Sequence, residues 1–462
     1  MSSASSPPST LTRRAIWMQA WPIILSQAST PLAGLVDTAV IGRTGDTLSL
    51  GAVAIGVTAM NLILWTFGFL RMGTTGLTSQ AEGSKDQEEV QATVIRATGL
   101  GLGIGVVLFL VQSLLLAGVM RFLSVENALR EMALDYARAR FWGAPFELAV
   151  YALNGWLLGQ NRSASALAVQ IVMSAANIIF SLWLVLGLDM GPAGVGAGTA
   201  IAQAIAFVFG IALCMRLIAN AGGWRDGVFG RSRLLDVDRL KRLFSVNTDI
   251  LIRTLALLIL FSWFTRSGAM LGETQLAANH VLMQIMMVVA FVLDAFAYTA
   301  EARVGSAIGA GSVEKFWRAV RLTGEFCVAS GLVLALIVFA AGDLFIASLT
   351  QVEAVQQAAS TYLPYCALIS ALGAFPWMLD GIFIGATRTA DMRNAAIVVT
   401  IIYIALDIAL RPFGATGAWT AITTSYLLRG VTLLIRLPAL VRDIKTVADN
   451  KKRNQTCPIH VD

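Results

Sequence analysis

The chain is 462 residues long, 56% hydrophobic and only 13% charged, with a formal net charge of +6 and a mean hydropathy of +0.71. Soluble globular chains carry about a quarter charged residues, so this composition excludes an ordinary soluble domain and indicates a polytopic membrane protein. Two His and four Cys without metal-ligand spacing speak against a metal centre or a disulfide framework, and the Cys read as packing residues.

A Ser/Pro/Thr-rich tail, residues 1–14, ends in Arg13-Arg14. The apolar segment after it is too long for a signal h-region and has no small-residue cleavage site at its end, so it is expected to be retained. It reads AIWMQAWPIILSQASTPLAGLVDTAVIG from Ala15 to Gly42. At about 1.5 Å per helical residue it exceeds the ~30 Å hydrocarbon core. Pro22 and Pro31 mark it as a helix that bends. Asp37 is its only acid. A carboxylate at the bilayer centre costs about 2.5–3.5 kcal/mol on insertion scales, so Asp37 is expected to face a polar cavity or a partner.

Twelve apolar segments follow one another, near 15–41, 50–80, 93–121, 132–158, 165–187, 193–217, 243–267, 276–303, 318–348, 358–386, 394–412 and 416–440. They are far longer than barrel strands, and open sheets cannot span lipid, so they predict helices. The fold class is an all-α polytopic membrane protein with twelve transmembrane helices in two six-helix bundles. Lys and Arg concentrate in one set of connections, in the central stretch and in the C-terminal tail, which predicts that both termini are cytoplasmic. The organisation expected is a tail (1–14), an N-lobe (15–217), a cytoplasmic linker (218–240), a C-lobe (241–441) and a second tail (442–462).

The two halves resemble each other. LNGWLLGQNRSA (Leu153 to Ala164) aligns with LDGIFIGATRTA (Leu379 to Ala390) at an offset of 226, and GVGAGTA (Gly194 to Ala200) echoes ATGAWTA (Ala415 to Ala421). Repeated helix bundles point to a transporter with its substrate path at the interface of the halves. Six helices per repeat give both halves the same topology, so their axis is expected along the membrane normal.

Charges inside the spans each need a reason. Asp249/Arg253 and Asp407/Arg411 are spaced i,i+4 and predict ion pairs on their own helices. Glu301 and Arg303 read as a solvated helix end. Asp37, Asp294 and Asp380 have no basic residue three or four positions away, and Glu147 follows Pro145 in the fourth helix. Asp37 is the candidate for proton or cation coupling; Asp380, Asp294 and Glu147 are candidate secondary acids, either structural or coupling. Asp380 aligns with Asn154, while Asp37 aligns with an apolar place near Phe264, so the two lobes differ chemically. Asn154, Asn177, Ser181 and Thr199 could line one pocket with Asp37, holding a proton or a hard cation on oxygen ligands.

The chain resembles the multidrug and toxic compound extrusion (MATE) transporters, within them the DinF-like branch. The resemblance covers about 15–440 and rests on GLVDTAVIGRTG (Gly34 to Gly45), GTTGLTSQAEG (Gly73 to Gly83), LLGQNRSA (Leu157 to Ala164), GPAGVGAGTAIAQ (Gly191 to Gln203), LAANHVLMQI (Leu276 to Ile285), LDAFAYTAEARVG (Leu293 to Gly305) and LDGIFIGATRTADMR (Leu379 to Arg393). It implies two lobes in a V, exporting small amphipathic or cationic compounds against an inward proton or sodium gradient. It also implies coupling at Asp37, with Asn154, Asn177 and Thr199 around it and with bending at Pro22 and Pro31. The fifth-helix acid of some relatives is Ser181 here, the tenth-helix acid of the sodium-coupled branch matches Asp380, and its seventh-helix glutamate has no counterpart. Proton coupling is therefore expected over sodium. No cofactor, no nucleic-acid partner and no enzymatic activity are expected of a monomer resident in the cell membrane.

Three rivals differ in their residues. A lipid-linked oligosaccharide or lipid flippase of the same superfamily needs basic residues in its cavity. A major facilitator transporter needs a GxxxDRxGRR-like loop after the second helix, where this chain reads EGSKDQEEVQ. A membrane-embedded enzyme needs clustered His, Cys or acid ligands such as HExxH.

Overall fold

The computed structural model describes residues 11–42, 46–122, 127–225, 227–230, 234 and 236–456, with side chains at all of these except 30–35, 47, 122, 127, 128 and 447–456. Among the described residues the regular structure is all helical, joined by short turns, with no strand. In the first half, α1 is Arg13–Gly42 and α2 runs over 47–84 through a 3-10 turn at Trp65–Gly68. Helix α3 covers 87–122, α4 covers 127–159 with a break at Trp142 and Gly143, α5 is Ser163–Gly187 and α6 is Gly191–Asn220. The second half has α7 (Val237–Met270), α8 (Glu273–Gly309), α9 (Val313–Leu349), α10 (Glu353–Gly385), α11 (Thr389–Leu410) and α12 (Gly414–Thr456).

These runs match the twelve apolar segments to within a few residues, except that α12 continues well past its segment into polar sequence. Among the described residues nine runs are long and apolar enough to cross a membrane. Large apolar side chains face outward in number: Leu114 and Leu344 are each 76% exposed. In water such a surface would aggregate; in a bilayer it is the solvated face.

The internal repeat holds at the level of backbone contact. In α4, a Cβ at Gly155 would fall on the Arg71 carbonyl of α2, and one at Gly159 would meet the Thr75 carbonyl at 2.9 Å. In α10, Gly381 and Gly385 lie in the same way against the Ala297 and Glu301 carbonyls of α8. All four residue correspondences are 226 positions apart. Small residues here let two helices approach at backbone distance, which is how helices associate where no hydrophobic effect drives them together. The connections repeat too. Lys85 and Gly311 both take positive φ (62° and 67°), as do Asn161 and Thr387 (60° and 54°). Asp86 and Ser312, again 226 apart, cap the next helix by accepting from the backbone N–H groups of Glu89 and Lys315.

The chain divides into two compact units, Pro22–Leu255 and Met1–Trp21 with Ala256–Asp462. The boundaries fall inside α1, at Pro22, and inside α7. The described part of the connection 218–240 belongs to the first unit because it is fastened to α3. The Gln91 side chain donates to the Gly223 carbonyl (2.9 Å) and accepts from the Arg225 backbone N–H (2.9 Å). Arg239 pairs with Glu89, which also holds Arg96.

The backbone contacts make a prediction. Gly155→Ala and Gly381→Ala should each destabilise the protein by about 1–3 kcal/mol, the usual cost of overpacking. Gly99→Ala, with nothing within 4 Å of the new Cβ, should not. Thermal denaturation midpoints in detergent compare the three.

Candidate functional site

Asp37 sits on the last turns of α1 and is 4% exposed. Its carboxylate faces Asn177 and Ser181 of α5 and Thr199 of α6. Ser181 Oγ donates to Asp37 Oδ1 at 3.5 Å, and Asn177 Nδ2 donates to Thr199 Oγ1 at 2.9 Å. The Oδ1 of Asn177 is buried without a hydrogen-bond partner. The small-residue run at the start of α6 makes this pocket. A Cβ at Gly196 would fall on the Tyr136 carbonyl of α4, and one at Gly198 would meet Ser181 N of α5 at 2.7 Å. That close approach carries Thr199 to Asn177.

The structure adds a group that spacing along single helices does not reveal. Arg140, on α4 before the break, interacts electrostatically with both Asp37 and Glu147. Its Nη2 lies 4.0 Å from Glu147 Oε2, and its Nη1 donates to the Tyr136 hydroxyl at 3.2 Å. Glu147 is further held by the Tyr151 hydroxyl (3.1 Å) and by the Gln203 amide of α6. The break at Trp142-Gly143, with Pro145 starting the next helical stretch, sets Arg140 and Glu147 on either side of one turn. Asp37 therefore has a nearby cation, supplied by another helix. The readable signal was an Arg seven residues before an acid inside a predicted span.

The remaining sequence candidates are placed as follows. Asp37, Asn177 and Thr199 come together, and Glu147 joins them through Arg140. Asn154 lies elsewhere on α4, its Oδ1 buried without a hydrogen-bond partner. Pro22 is buried within a helix that runs unbroken from Arg13 to Gly42. The side chain of Pro31 lies outside the described residues.

Asp380 and Asp294 belong to the second unit. Asp380 forms an ion pair with Arg429 of α12, and Asp294 accepts from Trp377 Nε1 at 2.9 Å. The Arg429 guanidinium also lies over the Trp377 ring, 5.9 Å from its centroid. Two expectations need correction. Asp407 does not pair with Arg411; it accepts from Trp263 Nε1 (2.9 Å) and Ser267 Oγ (2.7 Å) of α7, because Arg411 lies beyond the end of α11 and is exposed. Glu301 is not at a solvated helix end but fully buried, and Arg303 donates to Gln19 Oε1 of α1 at 2.7 Å. Among the described residues no three His, Cys, Asp or Glu side chains cluster as a metal site would need.

The MatE family model matches this chain twice, over residues 22–183 and 250–410, once in each half. The chain belongs to the MATE family. It is 34% identical over 438 residues to DNA damage-inducible protein F of Escherichia coli, with 92% of each chain covered, which places it in the DinF-like branch. It is 23% identical to the multidrug resistance protein MdtK of Edwardsiella ictaluri over 70% of each chain. A crystal structure of MATE in the bent conformation superposes with a TM-score of 0.86 at 18% identity, covering 95% of this chain and 97% of that one. The family is one of multidrug efflux transporters, so this member is a multi-pass membrane protein of that type.

The site makes a second prediction. Arg140→Gln leaves Glu147 without its cation, removes the positive charge near Asp37, and should destabilise the protein by about 3–5 kcal/mol, the cost of breaking a buried pair from one side. Adding Glu147→Gln should recover most of that loss. Denaturation midpoints of the single and double variants measure it.

Proposed function

We propose that the protein is a secondary-active exporter of small, amphipathic and mostly cationic molecules, driven by inward proton movement through Asp37. The observation that carries this reading is a charge count. Arg140 pairs with one buried carboxylate, Glu147, and acts through space on a second, Asp37. With both acids ionised the cluster holds one uncompensated negative charge, and one proton makes it neutral. An ionisable cluster inside a membrane span is costly unless it serves a pathway. The hydrogen-bonding side chains around Asp37, those of Asn177, Ser181 and Thr199, are neutral, so we assign it the proton, while Arg140, Tyr151 and Gln203 all hold Glu147.

Protonation of Asp37 from outside removes the buried charge and supplies a donor that the Asn177 Oδ1 lacks. The first helix then repacks at Pro22 and Pro31 and substrate is expelled. Deprotonation toward the cytoplasm restores the pocket for the next cation. Access alternates between the N-lobe and the C-lobe, and the distribution of Lys and Arg supports cytoplasmic termini in a cell-membrane monomer. Sodium is the less suited ion, because the pocket offers a single carboxylate beside Ser181. A lipid-linked sugar as cargo fits less well, since two part-buried cations, Arg140 and Arg429, each pair with a carboxylate and are not left to meet pyrophosphate.

Transport in vesicles tests this. Purified protein in vesicles with an imposed pH gradient should export a fluorescent organic cation, and Asp37→Asn should reduce that export to the level of empty vesicles. Export that survives collapse of the pH gradient but needs sodium would overturn proton coupling. Full activity of Asp37→Asn would overturn the role of Asp37.

A further inference from the structure

The offset of 226 pairs Asp37 with Trp263 and Ser181 with Asp407. In the first unit Ser181 on α5 donates to Asp37 on α1. In the second, Trp263 on α7 donates to Asp407 on α11. The contact is the same, with the acid moved to the opposite helix. Asp407 is 2% exposed, and no ion pair reaches it among the described residues. Tyr403 stands one turn earlier on the same face of α11. Its hydroxyl is fully buried and has no hydrogen-bond partner.

We propose that Asp407, with Trp263, Ser267 and Tyr403, forms a second proton-binding site, confined to the C-terminal unit. The donor arrangement selects the ion. Trp263 N–H and Ser267 O–H both donate to Oδ2, and the fixed indole N–H repels a metal cation there. A hard cation wants a shell of six or more oxygens, and this site offers one carboxylate, one serine hydroxyl and one phenol. A proton on Oδ1 needs only one acceptor, which the Tyr403 oxygen supplies. The other charged groups nearby are Arg266, whose guanidinium lies 4.9 Å from the centroid of the Trp263 ring, and Arg411, exposed one turn beyond Asp407. The described hydrogen bonds and ion pairs bring no charged group to Asp407 from α10 or α12. In a working exporter this site allows a second proton per cycle, a consequence that rests on the function proposed above; the site itself does not.

Infrared spectroscopy of the purified full-length protein over a pH series tests the site without transport. The difference between wild type and Asp407→Asn should contain one protonated-carboxyl band that appears as pH falls, and the difference for Asp37→Asn should contain a separate one. Tyr403→Phe removes the proposed acceptor and should shift the frequency of the Asp407 band while leaving the Asp37 band in place; it also reads the site if Asp407→Asn does not fold. A wild-type spectrum without a band assignable to Asp407, an unmoved band in Tyr403→Phe, or a band abolished by added sodium at constant pH would overturn the proposal. Loss of export with the Asp407 band intact would overturn only the exporter reading.

Discussion

A carboxylate in hydrocarbon is tolerated only if the chain brings it a partner, and here partners come from other helices. Asp37 is served by α4, α5 and α6, Asp380 by α12, Asp294 by α10 and Asp407 by α7. Each acid therefore fixes a helix–helix contact, at positions far apart in sequence. Packing of small residues brings backbones together without saying much about register along the helix axis. Directional polar contacts supply that register. In α6 the two act in sequence: Gly196 and Gly198 admit the helix, and Thr199 and Gln203 then lock it, one to Asn177 and the other to Glu147.

The same constraint sets two of these acids apart. Asp380 forms an ion pair with Arg429, so protonating it would take that carboxylate away from the guanidinium. The guanidinium near Asp37, Arg140, is already held by Glu147 and Tyr136, so adding a proton at Asp37 strands no cation.

Much of the fold was legible in the sequence. Hydropathy marks helices whether or not their partners are known, so the twelve runs came out to within a few residues. The repeat was legible because the glycines of LNGWLLGQ and LDGIFIGA sit against backbone, where no larger side chain substitutes. What was not legible were the charge partners. Spacing along one helix does not reveal Arg140, because the pairs that matter cross between helices: Asp380 and Arg429 are 49 residues apart. The i,i+4 spacing of Asp407 and Arg411 misleads in the same way, because the helix ends at Leu410 and puts Arg411 out of reach.

The repeat also bears on how two equal halves become unequal. Duplicating a six-helix scaffold copies its glycine contacts and its connections, and these are kept because they set the backbone. The polar contact between the first and fifth helices of each half is copied too, but its chemistry is free to move. A donor and an acid are needed there, and either helix can carry either one. In the first unit the acid is on the helix that contains Pro22 and Pro31, near a guanidinium that pairs with Glu147. In the second it is on α11, where two donors aim at one of its oxygens and a buried phenol stands beside it. One backbone plan thus holds two different acids, and the contact that both units share fixes only their position.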